Sequence, residues 1–349
     1  MGDNPRSGME SREPSGGPVK NMPPQMPRIA DVAELAGVSV STVSKALNDT
    51  GQLREDTRTR VKEAASTLGF VAGASGRGPA DARTYTVGLL TTDSFGRFTI
   101  PLLMGVEDAL AAGRMAIILC DTRDDVLRER HYLQSLQERR VDGLIITGRT
   151  TDPRPSIGLA IPTVYAFSPS DDPDDFAVVA DEGGGAAAAA EHLLAMGSRR
   201  IAHVTGPARH HSATLRAAAA ENALGDALIA PTQFGHWSEE WGRSAVDMLL
   251  ASHPDVDGFC CGSDQIARGV TDRLRERGIG VPDQVRVTGF DNWEVMALAS
   301  RPPLTTVDME LTELGRLAGS TLLDLVEGEQ EPPRRQVLTP RLEVRGSSL

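Results

Sequence analysis

Five residues near the N-terminus are spaced so that they share one face of a helix. They stand at i, i+1, i+4, i+5 and i+8, are small or polar, and include one cation: Val40, Ser41, Ser44, Lys45 and Asn48. Such a face can enter the major groove of DNA without steric conflict. Lys45 can donate to guanine O6 and N7, and Ser41 can contact either base type. Ser44 and Asn48 suit phosphate oxygens. The alternative interpretation is the solvated face of a small helical domain.

A second set of polar residues follows apolar runs further along the chain. Asp93, Arg216, Ser263 and Asp291 each come after a predicted strand. Ligands of α/β proteins bind where the carboxyl ends of strands face a cleft. An arginine with one or two aspartate acceptors is a common way to hold a polyhydroxylated ligand. We interpret Asp264, beside Ser263, as the acidic residue of a helix's first turn.

Residues 28–70 carry helical apolar patterns that position the first set. One stripe is Ile29, Val32, Ala33 and Ala36, and a later one is Val61, Ala64, Ala65 and Leu68. Between them Gly37 can take the positive φ of a helix end, and Ser39 is a good N-cap for the next helix. That helix turns Val43, Ala46 and Leu47 inward. The segment therefore predicts a helix-turn-helix.

From Thr84 onward, short apolar runs alternate with amphipathic helices, which is typical of parallel α/β sheets. Helices are expected, for example, over Leu102–Ala112, Arg128–Arg139, Gly185–Met196, Ser238–Ala251 and Gln265–Arg277. There are enough strands for two sheets, so we expect two α/β lobes with a cleft between them. The predicted strands are Thr86–Leu90, Met115–Leu119, Gly143–Thr147, Thr163–Phe167, Ala177–Ala180, Arg200–Thr205, Gly258–Cys261 and Val285–Gly289.

Two further stretches read as unstructured. Residues 1–27 contain six Pro, four Gly and three Ser and predict a disordered tail, in which Met22 or Met26 can equally be the translation start. Residues 71–84 are rich in Gly and Ala and predict a linker.

Charge is divided unevenly along the 349 residues, whose net charge is −12. Residues 1–80 carry ten Lys or Arg and nine Asp or Glu, whereas the rest carry 26 and 39. The acidity therefore belongs to the α/β part. A small DNA-reading head attached to a small-molecule sensor requires this division.

Composition excludes several classes of protein. Three cysteines provide no disulfide framework, and no Cys-x-x-Cys pair suggests zinc. We find no apolar run long enough to span a bilayer and no signal-peptide pattern, so we expect a soluble protein of the cytoplasm. No nucleophile-elbow, Walker A or dinucleotide motif occurs, so neither an enzyme nor a cofactor is expected.

Some residues allow two interpretations. Trp237 can stack on a sugar face or anchor the helix that follows it. His210 and His211 lack partners at metal-ligand spacing and are read as surface-loop residues. The glycine run 183–185 is read as the start of a helix rather than as a phosphate site.

The string DVAELAGVSVSTVSKALN, followed by a helix ending in Leu-Gly-Phe, resembles the DNA-binding head of the lactose-repressor (LacI/GalR) family. The strings EHLLAMGSRRIAHVTGP, SDQIARGVTDRLRERGIGVPDQVRVTGFD and RPPLTTV are similar to that family's core signatures, in the same order. The resemblance runs from about residue 28 to about residue 345. It implies a transcriptional regulator that acts as a repressor, with a periplasmic-binding-protein-like core.

The resemblance also implies roles and boundaries. Val40, Ser41 and Lys45 would read bases, Arg216 would clamp an effector and Asp291 would accept its hydroxyls. Ser263, Arg97 and Phe98 would line the effector pocket. The expected domains are the tail over 1–27, the head over 28–70, the linker over 71–84, the first core lobe over 85–178 and 308–337, and the second over 179–307 and 338–349.

Two positions depart from the family pattern. The family's hinge helix carries a leucine that wedges into the minor groove, whereas Pro79 stands here among glycines. We therefore expect a linker that is non-helical or poorly ordered without DNA, and operator bending that is weaker than in relatives that carry the leucine. An acidic effector residue of several relatives is replaced by Phe167, which suggests a ligand that is less hydroxylated at that end, or more apolar.

The expected partners are a palindromic double-stranded operator, a small-molecule effector of carbohydrate type, and a second copy of the chain, with no membrane. A twofold protein matches a palindromic site, and no C-terminal heptad segment suggests a tetramer. A solute-binding receptor for a transporter is the alternative, since it would share the two-lobed core. It would require a signal peptide and no DNA-binding head.

Overall fold

In the computed structural model the described residues fall into two units, whose boundary lies between Ala82 and Arg83. None of the helices in the described residues has the length and apolarity that a membrane crossing requires. The predicted tail over 1–27 lies outside the described residues, which are 29–47, 50–51, 53–68, 83–111, 114–328 and 331–349.

Residues 71–82 of the linker predicted over 71–84 lie outside the described residues. The last two residues of that range, Arg83 and Thr84, are described, and for them the linker prediction is wrong. The Arg83 guanidinium donates to the carbonyl of Val326 at 2.9 Å. The backbone N–H of Thr84 donates to the Asp142 carboxylate at 2.9 Å. These residues therefore belong to the core unit, because hydrogen bonds hold them to it.

The first unit contains the predicted helix-turn-helix and a third helix. Helix α1 is Ile29–Ala36, α2 is Val40–Leu47 and α3 is Glu55–Leu68. Gly37 takes a φ of 63° and ends α1, as expected of a residue without a Cβ. The core of this unit consists of small apolar side chains: Val32, Ala33, Ala36, Val43, Ala46, Val61, Ala64 and Ala65. The helical stripes of the sequence are therefore the buried faces.

The second unit contains two six-stranded sheets with helices on their faces. The strands are β1 Thr86–Thr91, β2 Ala116–Asp121, β3 Gly143–Ile146, β4 Thr163–Ala166, β5 Phe176–Ala180, β6 Ile201–Thr205, β7 Gln233–Phe234, β8 Gly258–Cys261, β9 Arg286–Phe290, β10 Thr305–Asp308, β11 Arg335–Leu338 and β12 Arg341–Glu343. The helices are α4 Thr99–Ala111, α5 Val126–Glu138, α6 Glu182–Ala195, α7 His211–Leu224, α8 Glu239–Ser252, α9 Asp264–Glu276, α10 Glu294–Ala297 and α11 Leu311–Glu327.

The sheets define two lobes. The first lobe has strand order β11-β5-β4-β3-β1-β2, and the second has β12-β10-β9-β8-β6-β7. The paired strands run parallel except β10 and β12, which are antiparallel. The parallel two-lobed architecture predicted from strand–helix alternation is confirmed. Parallel order also brings the carboxyl ends of the strands to one edge of each sheet.

The predicted lobe boundaries fall inside strands and need correction. The boundary after residue 178 falls within β5, and the boundary after 337 falls within β11, although both strands pair along their length within the first sheet. The boundary after 307 falls within β10 of the second sheet. A paired strand stays in one sheet, so the chain changes lobe in the loops that follow these strands.

The sequence analysis did not predict four of the strands, which are β7, β10, β11 and β12. Strand β7 has two residues and β12 has three. Strand β11 lies at a sheet edge and alternates exposed with half-buried residues. Short or edge strands carry few apolar residues, so their pattern is weak.

Two glycines allow α4 and α11 to cross closely in the first lobe. A Cβ on Gly315 would lie 2.0 Å from the carbonyl oxygen of Leu102, and one on Gly105 would lie 1.8 Å from that of Thr312. We predict that Gly315→Ala lowers the free energy of unfolding by roughly 1–3 kcal/mol, because backbone must move. The expected loss is larger than the gain of about 1 kcal/mol in helix propensity that alanine has over glycine. Urea denaturation followed by circular dichroism measures the change.

The control is Gly183→Ala in α6, where a Cβ would meet nothing nearer than 3.7 Å. This variant should be neutral or more stable by up to about 1 kcal/mol. Equal stability of the Gly315→Ala variant and the unmodified chain would contradict the close crossing.

Candidate functional site

The exposed face of α2 is the first candidate site. Val40, Ser41, Ser44 and Lys45 are exposed, whereas Val43 and Ala46 on the opposite face are fully buried. Ser39 caps the helix by accepting a hydrogen bond from the backbone N–H of Thr42 at 3.2 Å. Asn48, the fifth predicted residue of this face, lies outside the described residues. The helix thus presents a small, polar face with one cation to solvent.

The second candidate site is a cavity of about 460 Å³ between the two lobes. Seven of the eight residues predicted for it line its wall: Arg97, Phe98, Phe167, Arg216, Trp237, Ser263 and Asp291. They come from both lobes and follow strands, with six of them in loops and Arg216 in the second turn of α7. The structure therefore brings together residues that are up to 194 positions apart in sequence.

Asp93 is not among the residues that line the cavity. Its carboxylate accepts hydrogen bonds from the backbone N–H groups of Phe98 and Thr99, at 2.8 and 3.0 Å. A carboxylate on the first N–H groups of a helix stabilises that helix. Asp93 therefore positions the start of α4, and through it Phe98.

Arg216 is the centre of a buried ionic cluster in the second lobe. It donates to the Glu182 carboxylate, to the Gly262 carbonyl at 2.6 Å and to Asp291 at 3.3 Å. Its guanidinium also lies 3.6 Å from the centre of the Phe290 ring. Burial by itself lowers the pKa of Arg216, but the adjacent carboxylates outweigh that effect and raise it. Arg216 therefore remains charged.

Asp291 is shared between two arginines. Arg97 of the first lobe donates to one carboxylate oxygen and Arg216 of the second donates to the other. Burial raises the pKa of Asp291, whereas both guanidinium groups lower it. Asp291 also takes a φ of 102°, a left-handed backbone conformation, directly after β9 ends.

Aromatic rings line the rest of the cavity. Phe98 and Phe167 stack with their ring centres 4.8 Å apart. Phe167 takes a φ of 70°, so it leaves the strand direction just after β4 ends. The Trp237 indole N–H donates to Nδ1 of His210 at 2.9 Å. His210 therefore carries its proton on the other ring nitrogen, Nε2. His210 lines the cavity, whereas the sequence analysis interpreted it as a surface-loop residue.

Ser263 and Asp264 begin α9 at the cavity. The Ser263 hydroxyl accepts from the backbone N–H of Ile266 at 3.3 Å and caps the helix. Asp264 is fully buried, and its carboxyl contacts the Thr306 hydroxyl and the backbone N–H of Trp293. Burial, with a smaller contribution from Asp291, raises its pKa to about 8.

Several residues of the ionic cluster around Arg216 and of the cavity wall were not predicted from sequence. Glu182 follows an N-cap aspartate and precedes the glycine run, and only its burial identifies it. Most of the other missed residues lie in loops, whereas Ser212 and Gln265 lie in the first turns of α7 and α9. The unpredicted lining residues include Thr92, Asp124, Arg149, Thr150, Thr151, Asp152, Arg209, Ser212 and Gln265.

Comparison with known families separates the head from the core. Residues 28–72 match the family model described as bacterial regulatory proteins, lacI family. Residues 190–348 match the model described as a periplasmic binding protein-like domain. The two matches fall on the first unit and on the second unit, respectively.

Curated proteins match almost the whole chain. The ribose operon repressor of Escherichia coli is 33% identical over 333 residues, covering 93% of this chain and 100% of that protein. The HTH-type transcriptional repressor PurR of Aliivibrio fischeri is 30% identical over 338 residues, covering 92% and 98%.

Solved structures also match almost the whole chain. A lac repressor dimer bound to operator and the anti-inducer ONPF has a TM-score of 0.77 at 25% identity, covering 93% of this chain and 100% of that one. A complex of the transcriptional regulator CelR with cellobiose has a TM-score of 0.65 at 29% identity, covering 92% and 99%.

Proposed function

The chain belongs to the lacI family of bacterial regulatory proteins, and from that premise we propose that it represses transcription under the control of a small molecule. In this proposal α2 reads a palindromic operator, and the effector occupies the cavity between the lobes. One observation carries the proposal: the same chain joins an exposed polar helix face to a two-lobed core with a cavity lined by both lobes.

For the head, we propose that Val40, Ser41 and Lys45 contact base edges and that Ser44 contacts phosphate. The exposure of all four side chains supports this, since a residue that contacts DNA must be accessible from outside the head. Asn48 is proposed as a second phosphate contact on the basis of sequence spacing alone.

For the core, we propose an effector of sugar type that has one apolar face. Relatives named for ribose and a structural neighbour complexed with cellobiose support the sugar class. The stacked Phe98 and Phe167 rings support the apolar face, because aromatic rings favour contact with apolar ligand surfaces. Polar groups of the ligand would meet Arg216, Ser263 and Asp291, and Trp237 would cover it.

The remaining assignments follow from the family. A homodimer is proposed because a twofold protein matches a palindromic site and the neighbouring lac repressor structure is a dimer. We propose that the chain acts in the cytoplasm, where DNA is found, and has no enzymatic role, since the curated relatives are repressors. The receptor alternative is not favoured, because residues 28–72 match a DNA-binding family.

DNA binding by the full chain tests the proposal. Selection from random-sequence DNA should recover a palindrome, and Lys45→Ala should weaken binding to it by about 1–3 kcal/mol. The reason is that Lys45 is the one cation among the exposed side chains described on α2. Titration against the selected site and against a scrambled site measures the specificity ratio.

Arg60→Ala is the matched control, because it removes one exposed cation from α3. It should change binding to both DNAs by the same factor, whereas Lys45→Ala should lower the ratio. Failure to enrich any palindrome, with Lys45→Ala binding like the unmodified chain, would overturn the proposed function.

A further inference from the structure

A second cavity, of about 530 Å³, lies in the first lobe beside the cavity between the lobes. The described residues that form its wall all lie between Thr92 and Ser168, so they belong to the first lobe. Four residues line both cavities: Thr92, Asp124, Thr150 and Asp152. Pockets that bind small molecules measure about 300–1,000 Å³, so each cavity has the size of a ligand site. Because the cavities share part of their walls, a single elongated molecule can occupy both.

Thr150 belongs to the loop after β3, residues 147–157, and hydrogen bonds hold this loop against the rest of the first lobe. The backbone N–H of Arg149 donates to the Thr92 hydroxyl at 3.2 Å. The Ser168 hydroxyl donates to the backbone carbonyl of Thr150. A loop that is held in place before a ligand arrives lowers the entropic cost of binding.

One buried threonine of this loop lines each cavity. Thr147 lines the first-lobe cavity and is 1% exposed, and Thr151 lines the cavity between the lobes and is 8% exposed. Neither side-chain hydroxyl has a hydrogen-bond partner among the described residues. Buried polar groups are nearly always hydrogen-bonded, so an unpartnered hydroxyl in a cavity wall indicates a contact for a polar ligand group. Each cavity therefore offers one such contact.

The charges of the first-lobe cavity disfavour an anionic ligand group. Four carboxylates and two guanidinium groups stand in its wall: Asp124, Asp125, Glu129, Asp152, Arg130 and Arg154. Arg154 donates to Glu129 at 2.7 Å, so these two charges neutralise each other. The remaining acidic excess repels a phosphate or carboxylate, whereas carboxylate oxygens accept hydrogen bonds from hydroxyl groups. Leu133 and Ile157 add apolar surface to the same wall, as in most small-molecule sites.

We propose that the effector has two linked, uncharged, hydroxylated units, of which one binds between the lobes and the other binds in the first-lobe cavity. A disaccharide is the simplest molecule of this class. This inference rests on the proposed function, because it names the kind of ligand that the proposed effector site takes. Thr147 then contacts the second unit alone, and Thr151 contacts the first.

Isothermal titration calorimetry of the full chain with a panel of sugars tests the two-unit ligand. The monosaccharides are glucose, galactose and fructose, and the disaccharides are cellobiose, maltose, trehalose, lactose and sucrose. At least one disaccharide should bind about tenfold or more tightly than the monosaccharides that it contains, because the second unit adds contacts. A panel in which no disaccharide exceeds its own monosaccharides would overturn the proposal.

Glucose 6-phosphate is the anionic probe in the same titrations. It should bind no more tightly than glucose, because the first-lobe cavity carries the acidic excess. If glucose 6-phosphate binds more tightly than every disaccharide, the effector is an anion and the two-unit ligand is wrong.

Thr147→Val and Thr151→Val assign the two units. Valine has nearly the shape of threonine and removes an unpartnered hydroxyl, so both variants should fold. Thr147→Val should lower the ratio of disaccharide affinity to monosaccharide affinity roughly three- to tenfold, the effect of one lost hydrogen bond. Thr151→Val should weaken both affinities and leave the ratio unchanged. An unchanged ratio in Thr147→Val would contradict the second unit's place in the first lobe.

Thr271→Val is the matched control. Thr271 is as buried as Thr147, but its hydroxyl donates to the carbonyl of Ala267 within α9, and it lines neither cavity. This variant should leave every affinity unchanged, and a ratio lowered as far as in Thr147→Val would overturn the proposed contact. Because no DNA is present in these titrations, their failure leaves the palindrome selection, and with it the proposed function, untouched.

Discussion

Replacing Arg216 with alanine is expected to lower the free energy of unfolding of the core by roughly 3–5 kcal/mol. The substitution leaves the carboxylate of Glu182 buried without its cation and leaves Asp291 with Arg97 alone. A buried charge without a partner costs far more than the pair contributes. Urea denaturation followed by tryptophan fluorescence measures the loss, since all three tryptophans belong to the second lobe with Arg216.

Arg209→Ala is the matched control for this measurement. Arg209 also lines the cavity but is exposed, so its removal should change stability by less than about 0.5 kcal/mol. Arg216→Lys should fall between the two, because lysine keeps the charge and cannot reach several acceptors as a planar fork does. A stable Arg216→Ala variant would show that the cluster adds nothing to the core.

The fold was largely predictable because burial imposes periodicity. The stripes in residues 28–70 and the apolar runs after residue 84 correspond to the buried faces of the helices and to the buried strands. Strand β11, which alternates exposed and half-buried residues, gave no comparable pattern. The lobe boundaries were misplaced by a few residues, because the sequence does not show with which sheet a strand pairs.

The residues that line the cavity could be predicted where they directly follow a strand of an α/β unit. Ser263 and Asp291 follow strands, and parallel order brings such residues to one edge. Asp93 follows a strand as well, but its carboxylate serves the next helix. Position after a strand therefore indicates nearness to the cleft and does not show which group a side chain contacts.

Contacts across the cleft could not be predicted, because they depend on how two lobes face each other. Asp152 and His211 are 59 positions apart, and Arg97 and Gln265 are 168 apart. No local pattern links such pairs. Glu182 is comparable, since its burial against Arg216 follows from the packing of α6 on α7 and not from its neighbours in sequence.

Asp264 connects three parts of the second lobe. It begins α9, contacts the Thr306 hydroxyl of β10 and accepts from the backbone N–H of Trp293, whose ring covers Arg97. Its pKa of about 8 means that the folded chain keeps the carboxyl protonated where an unfolded chain has lost that proton. Folding therefore binds a proton at this site between about pH 4 and pH 8.

The sign of the effect on stability follows from that proton. Below about pH 4 both states are protonated at Asp264, so the site contributes no pH dependence. As the pH rises from 4 to 8 only the unfolded state ionises, so the contribution of Asp264 to stability falls, and above 8 it stays constant. Asparagine is neutral at every pH, and its amide can donate to Thr306 while its oxygen accepts from Trp293.

We therefore predict that Asp264→Asn gains stability relative to the unmodified chain as the pH rises, by roughly 2–5 kcal/mol between pH 4 and pH 8. Denaturation curves at several pH values give this difference, in which the other titrating groups cancel. Asp272→Asn, a partly exposed position on the same helix, makes the same change in charge and should give a nearly flat difference. A flat difference for Asp264→Asn as well would mean that Asp264 is ionised in the folded core, held by Thr306 and Trp293 as a buried anion.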